Sequence, residues 1–345
     1  WQQPITDMGQ TGPDKGAGGK YLILPPSSPD MDAPGYTVFR APSNQIWFGT
    51  RGLDPDKAVA EATLRKFNIY GWNQRDRPAP TKFLEVGGRA WQSAQPDTLE
   101  YWKLLNELYA NEPVAPRDRV MFGMLRSLGI APGTPFNPDA RQARILTDAA
   151  KLGELMARTI AYDKRYAGAT VYPSKRWEYA VLFDLDQEAP DKTRVQFDER
   201  SSWFYEAIGM SVGMQGRIVG FGQVYLETSR DRDGNWLDGG KTYRLRVDPN
   251  PPVRQFWSIT LYDNVTRGPL DTPQGAADLS SRNPDLVKNA DGSVDVYFGP
   301  ERPTNAANWI RTMPGQGWFP YFRFYAATEA YFDKSWQLND IERMN

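Results

Sequence analysis

The residues best suited to chemistry lie near the end of the chain, in the run Trp318-Phe319-Pro320-Tyr321-Phe322-Arg323-Phe324-Tyr325. Side chains alternate across a strand, so Phe319, Tyr321, Arg323 and Tyr325 share one face, and Phe322 and Phe324 share the other. An arginine flanked by tyrosines can clamp a carboxylate or phosphate through two parallel N–H groups. The pattern therefore predicts a concavity for a small anionic or carbohydrate ligand, built from Arg323, Tyr321 and Tyr325 with Trp257, Tyr262 and Trp318 nearby. The competing reading is an internal salt bridge, or an exposed face with ordinary cross-strand pairs.

Carboxylates supply weaker candidates. Asp231, Asp233 and Asp238 fall in one loop, and the opening Asp-x-Asp-Gly resembles an oxygen-rich calcium turn, although the full spacing and terminal Glu are missing. Asp, Asn and Gly also build hairpin turns without metal. Asp184 and Asp186, two apart on an expected strand, share a face and can divide acid and base roles when their environments differ. Asp198, Arg200 and Tyr205 precede an apolar run and can form a polar network, with a structural salt bridge as the alternative. Lys15 and Lys20 lie among glycines, but that segment lacks the Walker spacing and a following helix, so a surface loop is favoured over a phosphate cradle.

Composition removes several classes of function. The chain has no Cys and no His, which rules out Ser-His-Asp catalysis, thiol nucleophiles, disulfides, and zinc or iron sites with His or Cys ligands. No cofactor is implied. Net charge is −1, and without clustered Lys and Arg a nucleic-acid partner is not expected. No stretch approaches the ~20 apolar residues of a membrane span. The chain opens on Trp1 without a charged-then-apolar leader, as a mature product or a fragment does.

These residues need elements to hold them. Residues 1–53 read as loops and short strands. Residues 54–170 read as helical, with starts at Asp54-Pro55, at the capping-box spacing Asp97-Thr98-Leu99-Glu100, and at Asn137-Pro138, and a stop at Gly129. Leucine and methionine stripes, among them Leu104, Leu108, Met124, Ile145, Leu152 and Met156, are expected to be core. From Lys175 the period becomes two: Tyr243, Leu245 and Val247 point inward, as do Trp257, Ile259 and Leu261, and Val294, Val296 and Phe298. The fold class is thus α+β, mainly β: antiparallel sandwich or jelly-roll lobes with an intervening helical subdomain, and a C-terminal sandwich over residues 171–345.

The run from Lys15 to Pro26 resembles the junction after the first of two paired bacterial domains of unknown function, 1254 and 1214. Asp233-Gly234, Leu237-Asp238-Gly239, Phe256-Trp257-Ser258, Tyr297-Phe298-Gly299-Pro300, Gly317-Trp318-Phe319 and Phe332-Asp333-Lys334-Ser335-Trp336 resemble the second. The resemblance implies two sandwich lobes, an N-terminal 1254 segment lying mostly upstream of Trp1, and a periplasmic or secreted location. It transfers no catalytic residues. Three functions stay open: a binding protein for a small ligand or glycan, a carboxylate-dependent glycoside hydrolase or lyase, and a structural protein whose faces make homo-oligomer contacts.

Overall fold

A computed structural model describes residues 2–86, 94–207, 209–215 and 217–344; Trp1 lies outside them. By its contacts the chain divides into two units, residues 19–91 and residues 1–18 with 92–345. In the smaller unit β1 (Tyr21–Leu24) pairs in parallel with β2 (Thr37–Arg40), followed by α1 (Lys57–Leu64). The cap of α1 is Asp56, whose carboxylate accepts from the N–H groups of Ala58 and Val59; the expected start at Asp54 lies two residues early.

In the larger unit, helices α2 (Leu99–Asn111), α3 (Arg119–Leu125) and α4 (Ala140–Tyr162) come first. A 3₁₀ turn after α3 ends at Gly129, whose φ of +78° is the left-handed conformation glycine adopts without strain. Then follow β3 (Glu178–Tyr179), α5 (Phe197–Glu206), α6 (Val212–Gln215), β4 (Gln223–Glu227), β5 (Tyr243–Val247), β6 (Trp257–Asp263), β7 (Asp278–Ser280), β8 (Val294–Gly299), β9 (Asn308–Arg311), β10 (Trp318–Tyr325), α7 (Glu329–Phe332) and β11 (Glu342–Arg343).

The strands form a five-stranded antiparallel sheet in the order β3-β4-β10-β6-β7 and a four-stranded sheet in the order β11-β5-β8-β9. In the second sheet β8 and β9 run parallel. Both contribute to one core: Leu226, Trp257, Ile259 and Phe322 from the first, Leu245, Val296, Phe298 and Ile310 from the second. The α+β sandwich expected from the two-residue period is present, and each inward set named from alternation is buried.

Two expectations fail. Residues 197–206 are helical, not strand: Glu199, Ser202, Trp203 and Glu206 recur at three- and four-residue spacing and are buried on one side of α5. The leucine and methionine stripes are core only in part: Leu125 and Leu128 pack against a small buried cluster. Met124, Leu152 and Met156 are each more than half exposed, and Leu104, Leu108 and Ile145 more than a third. The bulkier aromatic neighbours win the interior instead. Tyr109 and Phe122 are buried, and Trp102 donates its ring N–H to the carbonyl of Leu146 at 2.7 Å. On α4 the buried residues are Leu146, Ala150, Ala161 and Tyr162.

Candidate functional site

Strand β10 lies between β4 and β6, so both its edges are hydrogen-bonded and both its faces covered. Phe319 and Tyr321 pack with Tyr162 of α4 and with Trp203 and Tyr205 of α5. Trp318, Phe322 and Phe324 face the opposite sheet with Trp257. The expected ligand group is therefore divided. Arg323, Tyr321 and Tyr262 meet on the helix-covered face, whereas Trp257 and Trp318 lie across the sheet from them, because odd and even positions point opposite ways. Tyr325, at the strand end, stacks on Phe256 with ring centres 3.9 Å apart.

Arg323 is 6% exposed. It donates to the hydroxyls of Thr260 at 2.9 Å and Tyr262 at 2.7 Å. The rings of Tyr225, Tyr321 and Tyr262 surround it at 4.9, 5.2 and 5.7 Å. Among the described residues it pairs with no carboxylate, and its Nε–H has no partner. The guanidinium is not in a salt bridge, and the face that carries it is closed, not concave. Ring quadrupoles and hydroxyl oxygens hold its charge instead.

Beside Arg323 lies a denser charged group that the sequence does not advertise. The register aligns Glu178, Glu227, Tyr321 and Thr260 in one row across the sheet. Lys164, just beyond α4, places its ammonium over this row, on Glu227, 3.1 Å from Glu206 and 4.0 Å from Glu178. Tyr321 donates to the other oxygen of Glu206 at 2.6 Å. Burial pushes the Glu178 carboxyl up to about 7, against the opposing pull of Lys164. Glu206 is also raised, first by burial. The one sequence signal for Glu206 is the helical spacing of Glu199, Ser202, Trp203 and Glu206.

The other side of α5 faces a cavity of about 460 Å³, within the range of small-molecule sites. Its apolar walls include Tyr101 and Trp102 of α2, Phe122 of α3 and Phe204 of α5. At its polar end Arg200 donates to Asp118 at 2.8 Å and to Gln187 at 3.1 Å, with Ser201 alongside. Asp118 also faces Arg117 Nε at 3.3 Å. Tyr101 and Met121 in the wall are each more than a third exposed, so the cavity reaches solvent.

The expected network of Asp198, Arg200 and Tyr205 is thus dispersed. Arg200 lines the cavity, Tyr205 donates to Glu154 at 2.5 Å, and Asp198 is exposed. Consecutive turns of α5 carry them to different sides. The calcium candidates also part. Asp231 accepts from the backbone of Asn235 at 2.8 Å, Asp238 accepts from Gly240 at 2.8 Å, and Asp233 is exposed. No group of three acidic side chains suited to a metal occurs among the described residues. Asp184 and Asp186 sit in a loop rather than a strand, one bound by Gln196 and the other by Lys192. In the glycine-rich segment, Asp14 accepts from the N–H groups of Gly9 and Gly18 at 2.8 and 3.0 Å, so a carboxylate occupies the place a phosphate would need.

Comparison with known proteins agrees with this fold and adds no activity. No curated protein matches the chain. The VPA0106 protein from Vibrio parahaemolyticus is similar in structure, with a TM-score of 0.51 and 18% identity over 95% of this chain and 76% of that one. An uncharacterized protein from Burkholderia cenocepacia aligns over 44% of this chain and 40% of its own, at 17% identity and a TM-score of 0.29. Residues 222–329, from β4 to the start of α7, match the family described as "Protein of unknown function (DUF1214)".

Proposed function

We propose that the protein binds a small neutral ligand in the cavity between α2, α3 and α5, and that the ligand presents an apolar face beside hydrogen-bonding groups, as a sugar ring does. The observation that carries this reading is the pairing of aromatic walls with an Arg200–Asp118–Gln187 end in a space of about 460 Å³. Aromatic faces stack on the apolar side of a ring, while a few fixed polar groups set its orientation. Among the lining residues Arg200 and Asp118 carry opposite charges and pair at 2.8 Å, so the lining itself has no net charge. This keeps the carbohydrate half of the ligand class expected from sequence and moves its site from β10 to the far side of α5. The hydrolase or lyase reading asks for two opposed carboxyl groups, and Asp118 is the one acidic residue lining the cavity among the described residues.

Titration with a panel of neutral mono- and disaccharides, read by tryptophan fluorescence at Trp102, tests the proposal. Saturable binding of at least one member, lost in Ser201→Trp, is expected. No saturation anywhere in the panel would overturn it, as would unchanged binding by Ser201→Trp.

The resemblance of residues 15–26 to the junction after a 1254 domain supports two further proposals. One is an exported, periplasmic or secreted protein; recovery of the native protein only from the cytoplasmic fraction would refute that. The other is that residues 1–53, 54–170 and 171–345 are 1254-like, helical and 1214-like segments of descent, in contrast to the two units that contacts define.

A further inference from the structure

The cluster under α4 and α5 holds three carboxyl groups and one ammonium. Lys164 and Glu206 have fully enclosed side chains, Glu227 is 4% and Glu178 21% exposed. Three ionised carboxylates on one ammonium would leave two negative charges in a layer sealed by aromatic rings. An unpaired buried charge is strongly unfavourable, and carboxyls sharing one site relieve it by retaining a proton.

The groups able to offset that charge are few. Tyr321 of β10 donates to Glu206 but is neutral. Arg230 reaches Asp163 at 3.4 Å, and Asp163 also holds Arg165. Tyr166 approaches Glu206 and Glu178 without adding charge. Arg323 and Arg267 are buried in the same region; the first is held by Thr260 and Tyr262, the second by Gln95 and the carbonyl of Tyr205. Among the described residues Lys164 is the cation in direct contact with the three carboxylates.

We infer that Glu178, Glu206 and Glu227 form a proton-binding site, which holds one proton in mildly acidic solution and ties the helical layer to the sheet more firmly while that proton is bound. Glu178 is the least enclosed of the three and gives the proton its route to water. The carboxyls titrate as a unit, so the proton belongs to the group rather than to one oxygen. The upward displacement of Glu178 and Glu206 agrees with the geometry. This inference goes beyond ligand binding and does not depend on it.

The test is the number of protons released when the full chain unfolds in urea at about pH 6, measured by potentiometry for the wild type and for Glu178→Gln. Asp340, also raised by burial, adds to the total in both proteins, so the difference between them is the readout. Wild type is expected to release about one proton more than Glu178→Gln. Its folding constant should fall on the order of 10²-fold between about pH 5 and pH 8, and the variant should lose most of that dependence. Equal release by the two proteins would overturn the inference. Should Glu178→Gln fail to fold, Glu206→Gln is read in its place, with the same outcomes deciding.

Discussion

The two faces of the sheet containing β10 are built on opposite principles. Toward the second sheet, Trp257, Ile259, Phe322 and Phe324 meet other hydrocarbon and aromatic groups, and burial of apolar surface dominates that core. Toward α4 and α5 the same strands present Glu227, Tyr321, Arg323 and Tyr262, with Lys164 and Glu206 added from outside the sheet. Both faces are closed to water, and the cluster of carboxyl groups and an ammonium lies on the second. The apolar face carries the stability of the sandwich, and the polar face makes the seating of the helices conditional.

Substitutions on the two faces should separate these roles. The largest effect is expected from Lys164→Met, which leaves the carboxyl cluster without its ammonium. Loss of one member of a buried ionic group costs about 3–5 kcal/mol. Burial lifts Glu178 to about 7 in the folded chain, above its ordinary range, so its contribution is whole in acid and is lost as pH rises through that value. Lys164→Met should therefore cost less at about pH 5 than at about pH 8, measured as urea unfolding free energy. A cost independent of pH would remove the contrast between the faces. A smaller effect, about 1 kcal/mol, is expected from Phe322→Leu on the apolar face, and it should be the same at both pH values. A pH-dependent loss there would mean that the two layers titrate together.

Much of the sandwich was legible because alternation is a local property. Tyr243, Leu245 and Val247 announce their burial by spacing alone, and the same rule separates Trp257 and Trp318 from Arg323, although aromatic character had suggested grouping them. The helical region was less legible. The stripes of Leu and Met are mostly exposed, while Tyr109 and Phe122, larger and one or two positions away, take the interior. Helix α5 was hidden by a strand-like neighbourhood, and with it the residues on both its sides, Glu206 toward the sheet and Arg200 and Ser201 toward the cavity. Lys164, Glu178 and Glu227 lie far apart in sequence and only the register of β3, β4 and β10 brings them together, so no spacing could have shown them. The sequence places Arg323 among tyrosines, but it does not distinguish a guanidinium facing solvent from one enclosed by them.

The most direct test sets the cavity against the arginine strand. Ser201→Trp and Arg323→Met are titrated in parallel with a saccharide that the wild type binds, once each is shown to unfold cooperatively. Ligand seated between α2, α3 and α5 predicts that Ser201→Trp loses binding while Arg323→Met keeps the wild-type affinity. Retention by Ser201→Trp together with loss in Arg323→Met would place the ligand on the β10 face and contradict the site assigned here.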